Sequence, residues 1–134
     1  MVENIYKPEF VEPTSIYSDT ILTLDEQFDI HGMMHITGGA YTKLRDLLGC
    51  ADVKINRNHK LQPQPIFRYL YKQGIPDEEM YKTFNCGVGF ILSVSPQDAD
   101  KIVSGLDADI IGEVTSGSGK IKIESMFSDK EIEF

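Results

Sequence analysis

Tryptophan is absent from this 134-residue chain, and cysteine occurs only twice. Cys50 and Cys86 fit no metal-binding or redox spacing, so both thiols are expected to be reduced and independent. Basic residues are also scarce. Thirteen Lys and Arg stand against 21 Asp and Glu, a net charge of −8 and a sequence pI near 4.8. Such a chain lacks the basic stripe that nucleic acid requires, although a few local donors can still hold one phosphate. No apolar run approaches the roughly 18 residues of a membrane helix. The polar, proline-punctuated start MVENIYKPEFVEPT is no signal peptide. A cytoplasmic location is expected, with neither membrane nor nucleic acid as partner.

What is present is an ordinary globular balance, 41% hydrophobic and 25% charged, in a length that suits one domain. Residues 1–14 read as an arm or linker, 15–127 as the domain, and 128–134 (SDKEIEF) as a solvated acidic tail. Between these limits strands and helices mix. IYSDTILTLDEQF (16–28) has the β-branched content of a strand, but its apolar spacing suits one helical face, and a helix is the favoured reading. GMMHI (32–36) reads as a buried strand. Residues 40–48 predict a helix with Tyr41, Leu44, Leu47 and Leu48 on one side and Gly49 as its stop. VKI (53–55) is a short strand. Pro65 and Pro76-Asp77 open two further helices. CGVGFILSV (86–94) reads as one strand. Ser95, Pro96 and Asp98 form a capping box for a helix whose Ala99, Ile102, Val103 and Leu106 fall at i, i+3, i+4 and i+7. DIIGEVTSGSGKIKIES (109–125) predicts a hairpin turning at 116–119. The expected architecture is α+β, a mixed β-sheet with helices packed on it.

Two stretches carry chemistry. If 84–94 is a strand, Phe84, Cys86, Val88, Phe90, Leu92 and Val94 share an apolar face, and Asn85, Gly87 and Gly89 share a bare one. Glycines in a strand mark a bulge, or the close approach of another backbone or of a ligand. The second stretch is HITGG (35–39), a strand running through two glycines into a helix. Free N–H groups and a partial positive charge at a helix start suit an anion. A tight turn with no ligand fits the same residues, and His35 can equally be a structural histidine. His31 and His35 have the spacing of a helical metal pair, but the segment reads as a strand and no third ligand is evident, so no metal site is expected. GSGK (117–120) is not a P-loop, since Ile121 follows Lys120 and Val114 stands where a glycine is required.

HITGG, EPTSIY (12–17) and EMYKTFNCGVGF (79–90) together resemble the C-terminal domain of aminoimidazole ribonucleotide synthetase, also called phosphoribosylformylglycinamidine cyclo-ligase. PQPIF (63–67) and IGEV (111–114) extend the likeness over residues 12–125. The resemblance implies an ATP- and magnesium-dependent ring closure. The formyl amide oxygen of formylglycinamidine ribonucleotide is phosphorylated, and aminoimidazole ribonucleotide forms with loss of phosphate. It implies a substrate-binding role for His35, Thr37, Gly38, Gly39, Asn85 and Gly87, and leaves the catalytic residues unassigned. It places ATP and Mg2+ mainly on an N-terminal half, expected here as a separate chain or a removed segment. That half is the expected partner. The family dimer is built mostly by it, so a homo-oligomer is an open expectation for this chain. Two departures stand out. Ala40 replaces the family's third glycine, a mild change if that position is helical. Thr42-Lys43-Leu44-Arg45 replaces a Glu-Asn-Leu-Pro-Arg run, which leaves open whether Arg45 serves as the family arginine. A non-catalytic, phosphate-ester-binding or regulatory relative is the alternative reading.

Overall fold

A computed structural model describes residues 13–134, so most of the expected arm over 1–14 lies outside the described residues. Helix α1 (Ser18–Gln27) leads into strand β1 (Ile30–His35). A 3-10 helix (Ala40–Leu44) and one α-turn, α2 (Arg45–Leu48), follow. Then come β2 (Ala51–Ile55), α3 (Pro65–Lys72), α4 (Asp77–Thr83), β3 (Phe90–Val94) and α5 (Pro96–Gly105). Strands β4 (Gly112–Ser116), β5 (Ile121–Glu124) and β6 (Glu131–Glu133) end the chain. The architecture is α+β. Its strands form two sheets, an antiparallel pair β1–β3 and a mixed sheet in the order β4-β2-β5-β6. Among the described residues no helix is long and apolar enough to cross a membrane.

The α5 capping box forms as its sequence dictates. Asp98 N–H donates to Ser95 Oγ at 3.2 Å, and Ser95 Oγ donates to the Asp98 carboxylate at 3.0 Å. Four other expectations need correction. Residues 109–125 hold two strands but no hairpin. β2 lies between them, antiparallel to β4 and parallel to β5. The Gly/Ser segment passes over the end of β2, where the Asp52 carboxylate accepts from the N–H groups of Ser118 and Lys120, both at 2.8 Å. Those backbone hydrogen bonds hold the Asp52 carboxyl below its ordinary pKa. The amides that local sequence assigns to a turn are thus taken by a carboxylate from 66 residues earlier.

The strand expected over 86–94 starts only at Phe90. Cys86 and Gly87 have φ of +49° and +96°, and Val88 N–H closes a turn onto Asn85 O at 3.0 Å. Alternation of faces therefore fails before Phe90, although Cys86 and Val88 are still buried. The helix expected over 40–48 starts as a 3-10 helix. Its first residue, Ala40, is fully buried at φ +41°. That is the left-handed region, which costs a residue with a Cβ about 1 kcal/mol, so Ala40 in place of glycine is not a conformationally mild change.

Residues 128–134 are not a solvated tail. Lys122, Ile123 and Glu124 of β5 pair with Glu133, Ile132 and Glu131 of β6. Ile132 is buried, and Phe134 exchanges backbone hydrogen bonds with Ile121. The alternation Glu-Ile-Glu explains the pairing, with the isoleucine turned to the core and the acids outward. On the outer face Lys54 pairs with Glu124 and Glu131, and Lys120 with Glu133. On the inner face Ile55, Ile121, Ile123 and Ile132 meet Tyr41, Leu44, Met80, Tyr81, Cys86 and Val88 in one core.

Candidate functional site

Strand β1 delivers His35 to the rim of this core, and the chain then turns sharply. Ala40 N–H donates to Thr37 O at 2.7 Å. Gly39 lies at φ +82°, ψ −11°, the geometry of the third residue of a type II turn, which favours glycine. The turn is braced from the 3-10 helix. Thr42 donates to Gly39 O through its N–H at 3.1 Å and its hydroxyl at 2.6 Å. Lys43 Nζ donates to Thr37 Oγ1 at 3.0 Å. The outer side is open, because a Cβ placed on Gly38 would meet nothing within 4 Å. Thr37, Gly38 and Gly39 are exposed, and no acceptor among the described residues takes the amides of Gly38 and Gly39.

The two stretches singled out from sequence do meet. Ile36 N–H donates to Gly89 O at 2.9 Å, and the Tyr41 hydroxyl donates to Asn85 O at 2.8 Å. Tyr41 is buried. Desolvation, with smaller effects of Cys86 and Tyr81, pushes its ionisation well above the ordinary value, so it remains a neutral donor. Burial likewise pushes the Cys86 thiol up to about 12, whereas Cys50 is exposed, and both are free thiols.

The face expected to be bare at Gly87 and Gly89 is covered by the protein's own atoms. A Cβ on Gly87 would lie 2.6 Å from Gln62 O, and one on Gly89 would fall on the Tyr17 hydroxyl. The protein's own backbone and side chain fill those spaces. Asn85 Oδ1 accepts from Gly87 N–H at 3.1 Å. Asn85 is thus tied to Tyr41, just past the 37–39 turn, and Gly87 packs against Gln62.

His35 is exposed at the rim. Its ring stacks on Phe90 with centroids 5.7 Å apart, and Tyr17 meets it edge-on at 5.6 Å. His31 and His35 both lie on β1, and among the described residues no group of three His, Cys, Asp or Glu could hold a metal ion. The helix after the turn is too short for a macrodipole argument, since the 3-10 segment has five residues and α2 four. Whatever attracts an anion here is local. Sequence reading missed Lys43, which braces Thr37, and Tyr41, which ties the segment after the turn to Asn85. A lysine one turn after Gly38-Gly39 was the available signal for the first.

A model of the family described as AIR synthase related protein, C-terminal domain, matches residues 7–124. Phosphoribosylformylglycinamidine cyclo-ligase of Methanothermobacter thermautotrophicus is 40% identical over 120 residues, which cover 87% of this chain and 35% of that protein. The protein of the same name from Methanobrevibacter smithii is 39% identical over 132 residues, covering 94% of this chain and 38% of the relative. That from Clostridium perfringens is 40% identical over 101 residues, 73% of this chain and 30% of the relative. The chain thus spans about a third of the length of these curated relatives.

Proposed function

The chain belongs to the AIR synthase related protein family through its C-terminal domain, and on that premise we propose that it is the C-terminal part of a phosphoribosylformylglycinamidine cyclo-ligase of purine biosynthesis. Its task is to hold formylglycinamidine ribonucleotide by the phosphate while the ring closes to aminoimidazole ribonucleotide. The observation that supports this reading is the turn at Thr37, Gly38 and Gly39, open to solvent and offering chiefly N–H and O–H donors. The carbonyls of Thr37 and Gly39 are spent within the turn. The unpaired amides of Gly38 and Gly39 suit anionic oxygens, which need donors. His35, at the rim beside Thr37, faces the sugar side of the same ligand. Asn85 O accepts from the Tyr41 hydroxyl just past the turn.

On this reading ATP would supply the phosphoryl group that activates the formyl oxygen, with Mg2+ to neutralise its charge, and both would be held outside the part of the protein that this chain represents. Within this chain the residues orient the ribonucleotide and shield it on one side. Positioning of this kind is a legitimate share of catalysis, because it removes the entropy of bringing two reactants together.

The test is reconstitution. The chain is mixed with the separately purified portion of the Methanothermobacter relative that lies outside the matched region, together with the ribonucleotide, ATP and Mg2+. Turnover in the mixture and in neither part alone is the expected result. Ribonucleotide binding without turnover in any mixture favours the non-catalytic relative instead. Neither binding nor turnover overturns both.

A further inference from the structure

The mixed sheet ends in two edge strands, β4 and β6, and they are not alike. The main-chain phase of β4 is fixed at its two ends. Asn56 N–H donates to Ile111 O at 2.8 Å, and Gly117 N–H donates to Cys50 O at 3.0 Å. Between them the register of β2 and β4 runs unbroken, from Ala51 opposite Ser116 to Ile55 opposite Gly112. Bonded and non-bonded pairs alternate along an antiparallel ladder. Glu113 and Thr115 therefore bond to β2, and Gly112, Val114 and Ser116 turn their N–H and C=O groups away from it. Val53, directly across from Val114, fits this phase, since its own N–H donates to Lys120 O on the β5 side at 2.9 Å. Among the described residues nothing pairs with the outward groups of β4. Val114 also shares a face with Val53, which packs on the core, yet Val114 is 49% exposed. Proline, lysine and bulges, which commonly guard an edge, are absent from this strand. Its one charge, Glu113, lies across from Lys54 on β2. By contrast β6 is guarded, because it has three residues and two are glutamates.

We propose that β4 is the surface through which two copies of this chain associate, antiparallel about a two-fold axis at Val114, so that their mixed sheets become one. The phase permits it. With Val114 opposite Val114 of the second copy, Gly112 falls opposite Ser116. All of these positions have outward main-chain groups, so each pair exchanges two N–H···O bonds. The side chains agree with this register. The two Val114 side chains meet on the core face, each reducing the other's exposure. On the opposite face Glu113 stands across from Thr115, so no like charges are directly opposed. The same operation on β6 about Ile132 sets Glu131 against Glu133, which is repulsive. A second copy is the occupant because a two-fold contact needs a self-complementary patch, and β4 is one. A five-residue strand makes a small interface, so the dimer is weak. None of this depends on the ribonucleotide reading above.

Sedimentation equilibrium of the 134-residue chain, with reductant present to keep its free thiols from cross-linking, tests this across the micromolar to millimolar range. A monomer–dimer equilibrium is expected. Amide hydrogen exchange followed by NMR should show Gly112, Val114 and Ser116 gaining protection as the dimer forms, with Glu113 and Thr115 protected at every concentration. Val114→Pro removes one outward N–H and spares the ladder to β2. Val114→Lys keeps every main-chain donor and places two ammonium groups at the axis. Each variant should weaken association about tenfold or more while melting close to the native chain in dilute solution. If Val114→Pro does not fold, Val114→Lys decides. A native chain that stays monomeric throughout the range overturns the proposal. So does a dimer that the variants leave as tight as before. A monomer whose Gly112, Val114 and Ser116 amides are already protected overturns it too, and assigns the edge to another segment of the same chain.

Discussion

Gly38 and Gly87 differ by what surrounds them, not by type. At Gly38 a side chain would enter open space at an ordinary φ. At Gly87 it would strike Gln62 O at 2.6 Å on a backbone with φ +96°. Gly87→Ala is therefore expected to cost on the order of 2 kcal/mol or more, from left-handed strain and overpacking together, seen as a lower midpoint in denaturant unfolding. Gly38→Val should leave that midpoint within about 0.5 kcal/mol of the native value, yet weaken binding of the ribonucleotide by blocking backbone approach. Equal affinity in calorimetry would remove the turn from the binding surface.

At the scale of elements, α4 is locked to the loop before β6 by one buried carboxylate. Asp77, at the first position of α4, accepts hydrogen bonds from the hydroxyls of Ser125, Ser128 at 2.7 Å and Tyr71 at 3.1 Å. Burial alone would raise its pKa, but these donors outweigh it and hold the carboxyl below its ordinary value. A carboxylate with a depressed folded pKa contributes stability that is complete above its unfolded pKa, about 3.9. That contribution is lost as pH falls through the lower folded value. Asp77→Ala should cost roughly 3 kcal/mol near neutral pH by leaving buried hydroxyls without an acceptor. It should also flatten the fall in stability below about pH 4. Thermal melts of both proteins between pH 7 and pH 3 measure this, and parallel curves would show that Asp77 carries no linkage.

For the whole molecule, the last seven residues close the mixed sheet. Removing 128–134 takes away β6, exposes the edge of β5, and uncovers Ile121 and Ile123, which Ile132 helps to bury. Loss of the Ile132 side chain alone forfeits about 2 kcal/mol of burial, and an open apolar edge invites association. The truncated chain is expected to melt earlier and to elute as aggregate in size-exclusion chromatography. Unchanged melting would mean that β6 is dispensable to the fold. The sheet order β4-β2-β5-β6 also explains where sequence reading failed. Single elements with strong local signals, such as α5 with Ser95 and Asp98 or α3 with Pro65, were legible because their signals are contained within the element. The pairing partners of β4, β5 and β6 were not, since a period of two says which face a strand buries but not which strand lies beside it.

The sequence by itself determined the α+β class, most element positions and, through the resemblance of HITGG and EMYKTFNCGVGF, the family. These follow from local periodicity, capping residues and motif order. Only the tertiary structure decided what each glycine is for. Gly87 and Gly89 are covered by Gln62 and Tyr17, and Gly38 is left open. It also decided that Asp52 fills the amides of one turn while Lys43 stands over another without a carboxylate partner among the described residues. The physical reason is that a glycine's sequence neighbours show only that a side chain is missing. The atoms that occupy or vacate that space come from segments tens of residues away.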